Sequence, residues 1–244
     1  MVLYEEIAFY EMNAWLKMVK KNPSIINRMA KGLQHKINEI IPGKIHQAIT
    51  YAIEKMVKGV LFGSSYINTK IVEQIPFEGR ELKIKNKIKW YQRTASVEGA
   101  VTGAGGILMG MVDFPAFLAI KMKMLFEVAS MYGYDVKDFR ERIYILYVFQ
   151  LAFCSQQKRR ELIGLLENWS SYKENLPDSG DNFDWRSFQL EYRDYMDLAK
   201  LAQLIPVIGA GVGAIANWQL TDHLGKTAIQ CYRLRYFEKK KELS

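Results

Sequence analysis

The scarcest residues in this sequence exclude the most. Two cysteines in 244 residues, Cys154 and Cys231, are too few to staple a secreted scaffold, and both stand in apolar or aromatic stretches. Buried thiols in a reducing compartment are the expectation. Three histidines, His35, His46 and His223, show no metal-ligand spacing with those cysteines. The serines lack a GxSxG elbow, and no glycine run ends in the Gly-Lys-Ser/Thr of a phosphate loop. The opening MVLYEEIAFYEMNAWLKMVKK has no basic stretch followed by an apolar one, so no signal peptide is read and a cytoplasmic location is expected. Only six prolines occur, most of them where helices should begin or end. With no hairpin signal and no sustained βαβ alternation, the expected fold class is all-α.

What is present describes a folded chain. An apolar fraction of 49% beside 25% charged residues is that of an ordinary globular protein, read as one domain over residues 1–244. The net charge of +8 favours anionic partners, either nucleic acid or anionic lipid. No helix-turn-helix or other nucleic-acid module is evident, so nucleic acid is not the expected partner. A mean hydropathy of −0.13 disfavours a polytopic membrane protein.

The helical pattern can be followed along the chain. Residues 3–21 place Ile7, Tyr10, Ala14, Leu16 and Met18 at helix-like spacing, and Ser24 caps a second helix through Ile41. Residues 44–62 form a clear amphipathic helix through Ile49, Ile53, Met56 and Val60, and 63–79 read as a loop. In RELKIKNKIKWYQRTA, residues 80–95, a strand-like alternation of lysines competes with a helix that puts Ile84, Ile88, Tyr91 and Ala95 in one sector. The helix is favoured. Its other side carries Lys83, Lys85, Lys87, Lys89 and Arg93, candidates for anionic headgroups or simply a solvated face. Further on, Asp113 caps and Pro115 opens a helix that runs to Met131 and stops at Gly133. Asp135 opens the next helix, helix continues over 156–174, residues 174–183 form a linker, and helix resumes near Asp184. A last helix ends in the basic tail RLRYFEKKKELS.

Two glycine-rich apolar segments, residues 99–120 and 204–220, stand out. Gly99 and Gly103, Gly106 and Gly110, and Gly209 and Gly213 are each four apart, with Gly211 between the last pair. Each glycine costs a helix up to about 1 kcal/mol against alanine. That cost is offset where another helix backbone approaches closely or where lipid makes an unpaired peptide group still more expensive. These glycines, with Asp113, Pro115 and Pro206, are the candidate helix-contact or membrane-contact residues. The segments are read as glycine-rich central helices or hairpins of a multi-helix bundle, with shallow or re-entrant membrane insertion and a transmembrane pair as alternatives. Asp113 and Pro115 interrupt the first segment and weaken a simple span. The loose GxGxxA at 209–214 has no strand before it, so no dinucleotide is expected, and neither is any other cofactor. Asp184, Glu191, Asp194 and Asp197 lie on or near one helix, where spacing alone cannot tell a carboxylate pair from a solvated face.

The run EGAVTGAGGILMGMVDFPAFLAIKMKMLFEVASMYGYD resembles the signature region of the EcsC family: a glycine-rich stretch, then Asp113-x-Pro115, then a helix ending at Tyr132-Gly133-Tyr134-Asp135. IPVIGAGVGAIANWQLTDHLGKTA resembles that family's C-terminal glycine segment. The family takes its name from a bacterial protein encoded beside an ABC transporter, and the resemblance carries over no catalytic residue. The family's biochemical activity is not established, and the resemblance implies a bacterial, cytoplasm-facing protein associated with membrane or transporter function. With the basic helix and the glycine segments, the expectation is a non-enzymatic accessory protein peripheral to the cytoplasmic face of the membrane, with an anionic membrane surface and a transporter subunit as partners. A hydrolase of unknown substrate and a soluble helical partner-binding module are the alternatives. The oligomeric state is left open.

Overall fold

The computed structural model describes residues 3–21, 43–63, 75–104, 106–155, 158–196 and 210–242, the side chains of 43–46, 98–113, 195, 210–213 and 216 excepted. Among them are nine α-helices: α1 (Tyr4–Lys20), α2 (Gly43–Phe62), α3 (Phe77–Ala104), α4 (Gly106–Met131), α5 (Phe139–Phe153), α6 (Arg159–Glu167), α7 (Trp169–Tyr172), α8 (Trp185–Tyr195) and α9 (Ala210–Glu242). Two short 3-10 turns, Lys173–Asn175 and Gly180–Asn182, occupy the start and the end of the stretch read as a linker, the first beginning one residue before it. No strand occurs among the described residues. One isolated antiparallel bridge, Cys154 to Met196, ties the end of α5 to the end of α8.

Three long helices organise the bundle. α3 and α4 form an antiparallel hairpin whose register is marked by the Lys87–Glu127 ion pair at 2.9 Å and the Tyr132–Glu81 hydrogen bond at 2.8 Å. α9 runs antiparallel to α3, with Arg233 on Glu81, Gly225 against Ile88 and Gln92 donating to Asp222 at 2.8 Å. It runs parallel to α4, where Lys121 donates to Asn217 at 3.4 Å and Tyr132 stacks on Tyr232. Ile84, Ile88, Tyr91 and Ala95 of α3 are all buried against these neighbours, as the helical sector required. α5 is buried nearly all round, from Ile143 to Phe153, and so fills the centre of the remaining helices.

Local signals place several helix ends. Gly133 takes φ +92°, a left-handed conformation that closes α4 as expected. Asp184 caps α8 by accepting from the Ser187 amide at 3.1 Å. The cap of α5 is Asp138, whose carboxylate accepts from Arg140 N at 2.8 Å, whereas Asp135 accepts from Lys137 N in the turn before it.

Two expectations need correction. Asp113 and Pro115 do not begin a helix, because α4 starts at Gly106 and runs unbroken through both. Pro115 has no N–H to offer the carbonyl four residues earlier. The helix continues because Phe114, Phe117 and Leu118 around it are buried, and packing overrides the local stop. Of the apolar positions read on α1, only Leu16 is buried. Ala8, Met12, Leu16 and Val19 are the buried positions, while Ile7, Tyr10, Ala14 and Met18 form an exposed stripe. The helix read over 24–41 lies outside the described residues.

A Cβ built on Gly225 would stand 2.5 Å from Ile88 Cγ2, whereas one on Gly59 meets nothing within 4 Å. Gly225→Ala is therefore expected to lower stability by about 1–2 kcal/mol through overpacking of the α3–α9 contact. Gly59→Ala is expected to raise it by up to about 1 kcal/mol through helix propensity. Urea denaturation of the two variants checks both signs.

Candidate functional site

The chemistry of this molecule is gathered at two opposite ends of the α3–α4–α9 unit. At one end lies a buried ionic network. Arg233 is 1% exposed and Glu81 is 0% exposed, and they meet fork to fork: Nε donates to Oε1 at 2.7 Å and Nη2 to Oε2 at 2.6 Å. Tyr4 donates to Glu81 Oε2 at 2.6 Å and Tyr132 to Oε1 at 2.8 Å, so both carboxylate oxygens are shared. The remaining Arg233 nitrogen, Nη1, reaches Glu11 at 2.7 Å. Two residues on, Arg235 donates to Glu141 at 2.6 Å, and Tyr232 donates to the other oxygen of that carboxylate at 2.7 Å. The Arg235 guanidinium also lies 3.6 Å from the Tyr134 ring centroid. Glu5 holds Tyr236 and Lys240, closing the end of α1 onto α9.

The electrostatics of Glu81 follow from this cage. Burial alone would push its carboxyl up, but the Arg233 guanidinium and the Tyr4 and Tyr132 hydroxyls together hold it below its ordinary value. Lys240 likewise lowers Glu5, against a smaller opposing effect of burial. Both carboxylates are structural, since their partners occupy them from within the fold.

One signal for this network stands in the sequence. Glu81 precedes Ile84 and Ile88 by three and seven residues, which puts a carboxylate on the buried stripe of α3, and such a charge needs a buried partner. Arg233, read as part of a basic tail, is that partner. The Tyr132-Gly133-Tyr134-Asp135 corner frames the network: Tyr132 bonds Glu81, Tyr134 faces Arg235, and Gly133 makes the turn between them.

The other end holds the glycines. Gly99 and Gly103 lie in the last turns of α3, Gly106, Gly110 and Asp113 in the first turns of α4, and Gly211 and Gly213 at the start of α9. Helix direction sends all three stretches toward the same end. Pro206 and Gly209 lie outside the described residues. Near this end Lys121 is buried, its Nζ 3.1 Å from the Phe117 ring centroid and bonded to Asn217.

Along the flank of α3 the five headgroup candidates separate into two groups. Lys85 bonds the Tyr4 hydroxyl at 2.8 Å beside Glu81, and Lys87 pairs with Glu127 at 2.9 Å. Lys83, Lys89 and Arg93 are exposed and have no acidic partner among the described residues. They alternate with exposed apolar side chains on the same helix: Leu82, Trp90 at 54% and Val97 at 66%. Lys83, Asn86, Lys87, Trp90 and Met131 line an open depression on this flank. Ile215 and Trp218 near the start of α9 are also exposed. No described helix is long and apolar enough to cross a membrane. Among the described residues no group of histidine, cysteine and carboxylates could hold a metal ion, and His223 bonds the Ala152 carbonyl at 3.1 Å.

These features define a class: an all-α bundle in which a long final helix is locked near its C-terminal end by a buried arginine paired with a buried glutamate. The sequence profile of the EcsC protein family matches residues 6–237, and the chain belongs to that family. It is 43% identical to "Protein EcsC" of Bacillus subtilis (strain 168) over 231 residues, covering 94% of this chain and 95% of the relative. A second relative from the same organism, "Uncharacterized protein YdbA", is 33% identical over 141 residues, covering 58% of this chain and 52% of its own length. No solved structure is significantly similar.

Removing one partner of a buried ion pair costs about 3–5 kcal/mol, because the other charge is left uncompensated. Glu81→Gln is expected to lose stability in that range, and the pair Glu81→Leu with Arg233→Met to lose less than either change alone, read by thermal melts. The acid dependence has a definite sign. Glu81 and Glu5 are depressed in the folded state, so their contribution is present above the unfolded carboxylate value of about 4.3 and disappears as pH falls through the folded values. Wild-type stability should therefore drop on acidification below that value, and the drop should be shallower in Glu81→Gln.

Proposed function

We propose that this protein is a non-enzymatic accessory protein that docks peripherally on the cytoplasmic face of the membrane. The observation that carries the reading is the outer flank of α3, where the exposed Lys83, Lys89 and Arg93, without an acidic partner among the described residues, alternate with exposed Leu82, Trp90 and Val97. Cations that reach phosphates beside an indole and aliphatic groups that enter the acyl boundary are the makings of an interfacial surface. Exposed Ile215 and Trp218 at the start of α9 support the same orientation, with the glycine end nearest the lipid.

The glycines have a compatible role. Continued at the register set by Glu81–Arg233, Ile88–Gly225 and Gln92–Asp222, Gly99 and Gly103 of α3 fall opposite the 210–215 stretch of α9. Small residues there allow close backbone approach, so the hairpin can pack as a slender, apolar end. A membrane transporter subunit is the protein partner this reading expects, following the family resemblance.

Each cation near an anionic surface contributes about 1 kcal/mol, so converting Lys83, Lys89 and Arg93 to Gln should weaken binding to phosphatidylglycerol vesicles about a hundredfold. Co-sedimentation of wild-type protein with those vesicles should fall as salt rises, and binding to phosphatidylcholine vesicles should be weak. Equal behaviour of the triple variant and wild type, or no vesicle binding at low salt, would leave a soluble partner-binding module as the better description.

A further inference from the structure

A second site lies away from both ends. Tyr147 and Gln150 of α5, Glu161, Leu162 and Leu165 of α6, Tyr172 of α7 and Phe188, Glu191 and Tyr192 of α8 line a cavity of about 180 Å³. Four of its walls are aromatic, and they do not stack in one direction. Tyr147 meets Tyr172 at 77° and Phe188 at 78°, with centroids 6.0 and 5.7 Å apart, so both of those rings stand nearly at right angles to that of Tyr147. The hydroxyls of Tyr147 and Tyr172 are bonded at 2.9 Å, which holds that corner of the box. Tyr192 is fixed from behind by its hydrogen bond to the Leu146 carbonyl.

The polar groups have one sign. Glu161 and Glu191 are the exposed lining residues, and no lysine or arginine lines the cavity. Lys158, just before α6, pairs with Glu161 at 3.1 Å, leaving Glu191 as the carboxylate at the cavity without an ion pair among the described residues. Gln150 is 2% exposed. Its amide Nε2 donates to the Tyr192 carbonyl at 3.0 Å, while its Oε1 is buried with no hydrogen-bond partner among the described residues. A buried acceptor left open is costly and points to a donor that enters with a ligand.

We infer that this cavity binds a small alkylammonium ion carrying an O–H or N–H donor. The electron-rich faces of Tyr147, Tyr172, Phe188 and Tyr192 surround the cationic nitrogen, the rim carboxylates add attraction, and Gln150 Oε1 accepts the donor. This site is independent of the flank of α3 and stands whether or not the protein docks on lipid. The alternative occupant, a neutral apolar group, would fill the same space but leave Gln150 Oε1 and the carboxylates without a role.

The test is calorimetric titration of the full chain with choline, with tetramethylammonium, and with 3,3-dimethylbutan-1-ol, the neutral carbon analogue of choline. Choline should bind saturably, and the neutral analogue about tenfold more weakly or worse. Gln150→Leu should weaken choline several-fold while leaving tetramethylammonium, which has no donor, unchanged. Glu191→Gln, an exposed change that does not threaten folding, should weaken both cations. Equal affinity for choline and its neutral analogue, or no saturable binding of either cation by the folded wild type, would overturn the assignment.

Discussion

Arg233 carries a permanent charge to a point with 1% exposure, and a guanidinium placed there must find carboxylate and hydroxyl partners within reach. Glu81 supplies the matching fork, and that contact fixes the register of α9 on α3 to the residue. A slip of one position would leave two buried charges uncompensated. Because Glu81 has four acceptor sites, the same contact recruits Tyr4 from α1 and Tyr132 from the end of α4. Glu11 then brings α1 to the remaining nitrogen. Four helices, far apart in sequence, are thus joined by groups that cannot be satisfied separately. Such networks are weak evidence for net stability against an apolar core, but they specify one arrangement among many that hydrophobic packing alone would accept.

The geometry has a polarity that follows from this. α9 is 33 residues long and locked at its C-terminal half, so its N-terminal half is positioned by lever rather than by ionic contact. The contacts that continue toward the glycine end include no buried ion pair among the described residues: a hydrogen bond from the Gln92 amide to the Asp222 carboxylate, the close approach of Gly225 to Ile88, and Lys121 reaching Asn217. Charge density and aromatic stacking therefore fall along the three-helix unit, while glycine content rises.

Periodicity made much of this legible. Ile84, Ile88, Tyr91 and Ala95 were bound to share a buried face because three-and-four spacing is a property of the backbone, and Gly133 and Asp184 marked helix ends for reasons local to each turn. The misreadings have a common cause, which is competition that only tertiary structure resolves. α1 has two apolar stripes, and the spacing of Ile7, Tyr10, Ala14 and Met18 is as regular as that of Ala8, Met12, Leu16 and Val19. Which stripe is buried depends on what lies beside it. Pro115 carries a strong local stop signal, yet burial of Phe114, Phe117 and Leu118 keeps α4 continuous. Arg233 and Arg235 look like solvent charges in a tail rich in lysine, and only the positions of Glu81 and Glu141 draw the first into the core and the second to its edge. The aromatic cavity was invisible for the same reason, since its lining comes from four helices.

The separation of the two ends bears on how a membrane role would operate. Insertion of a glycine-rich hairpin into the acyl boundary requires its apolar groups to exchange protein neighbours for lipid, and helix contacts built from small residues lose little area in that exchange. Opening the network end would instead expose a buried guanidinium and two carboxylates, a much larger cost. Movement, under the proposed role, is therefore confined to the segment beyond Gln92 and Asp222, with Glu81 and Arg233 serving as the fixed point against which the hairpin shifts. The aromatic cavity lies among α5, α6, α7 and α8, and α5 reaches the C-terminal half of α9 through Tyr144, whose hydroxyl donates to the Cys231 carbonyl at 2.8 Å. A ligand in the cavity would thus bear on the locked half of α9 first, so any influence on the glycine end must travel along the helix rather than across its surface.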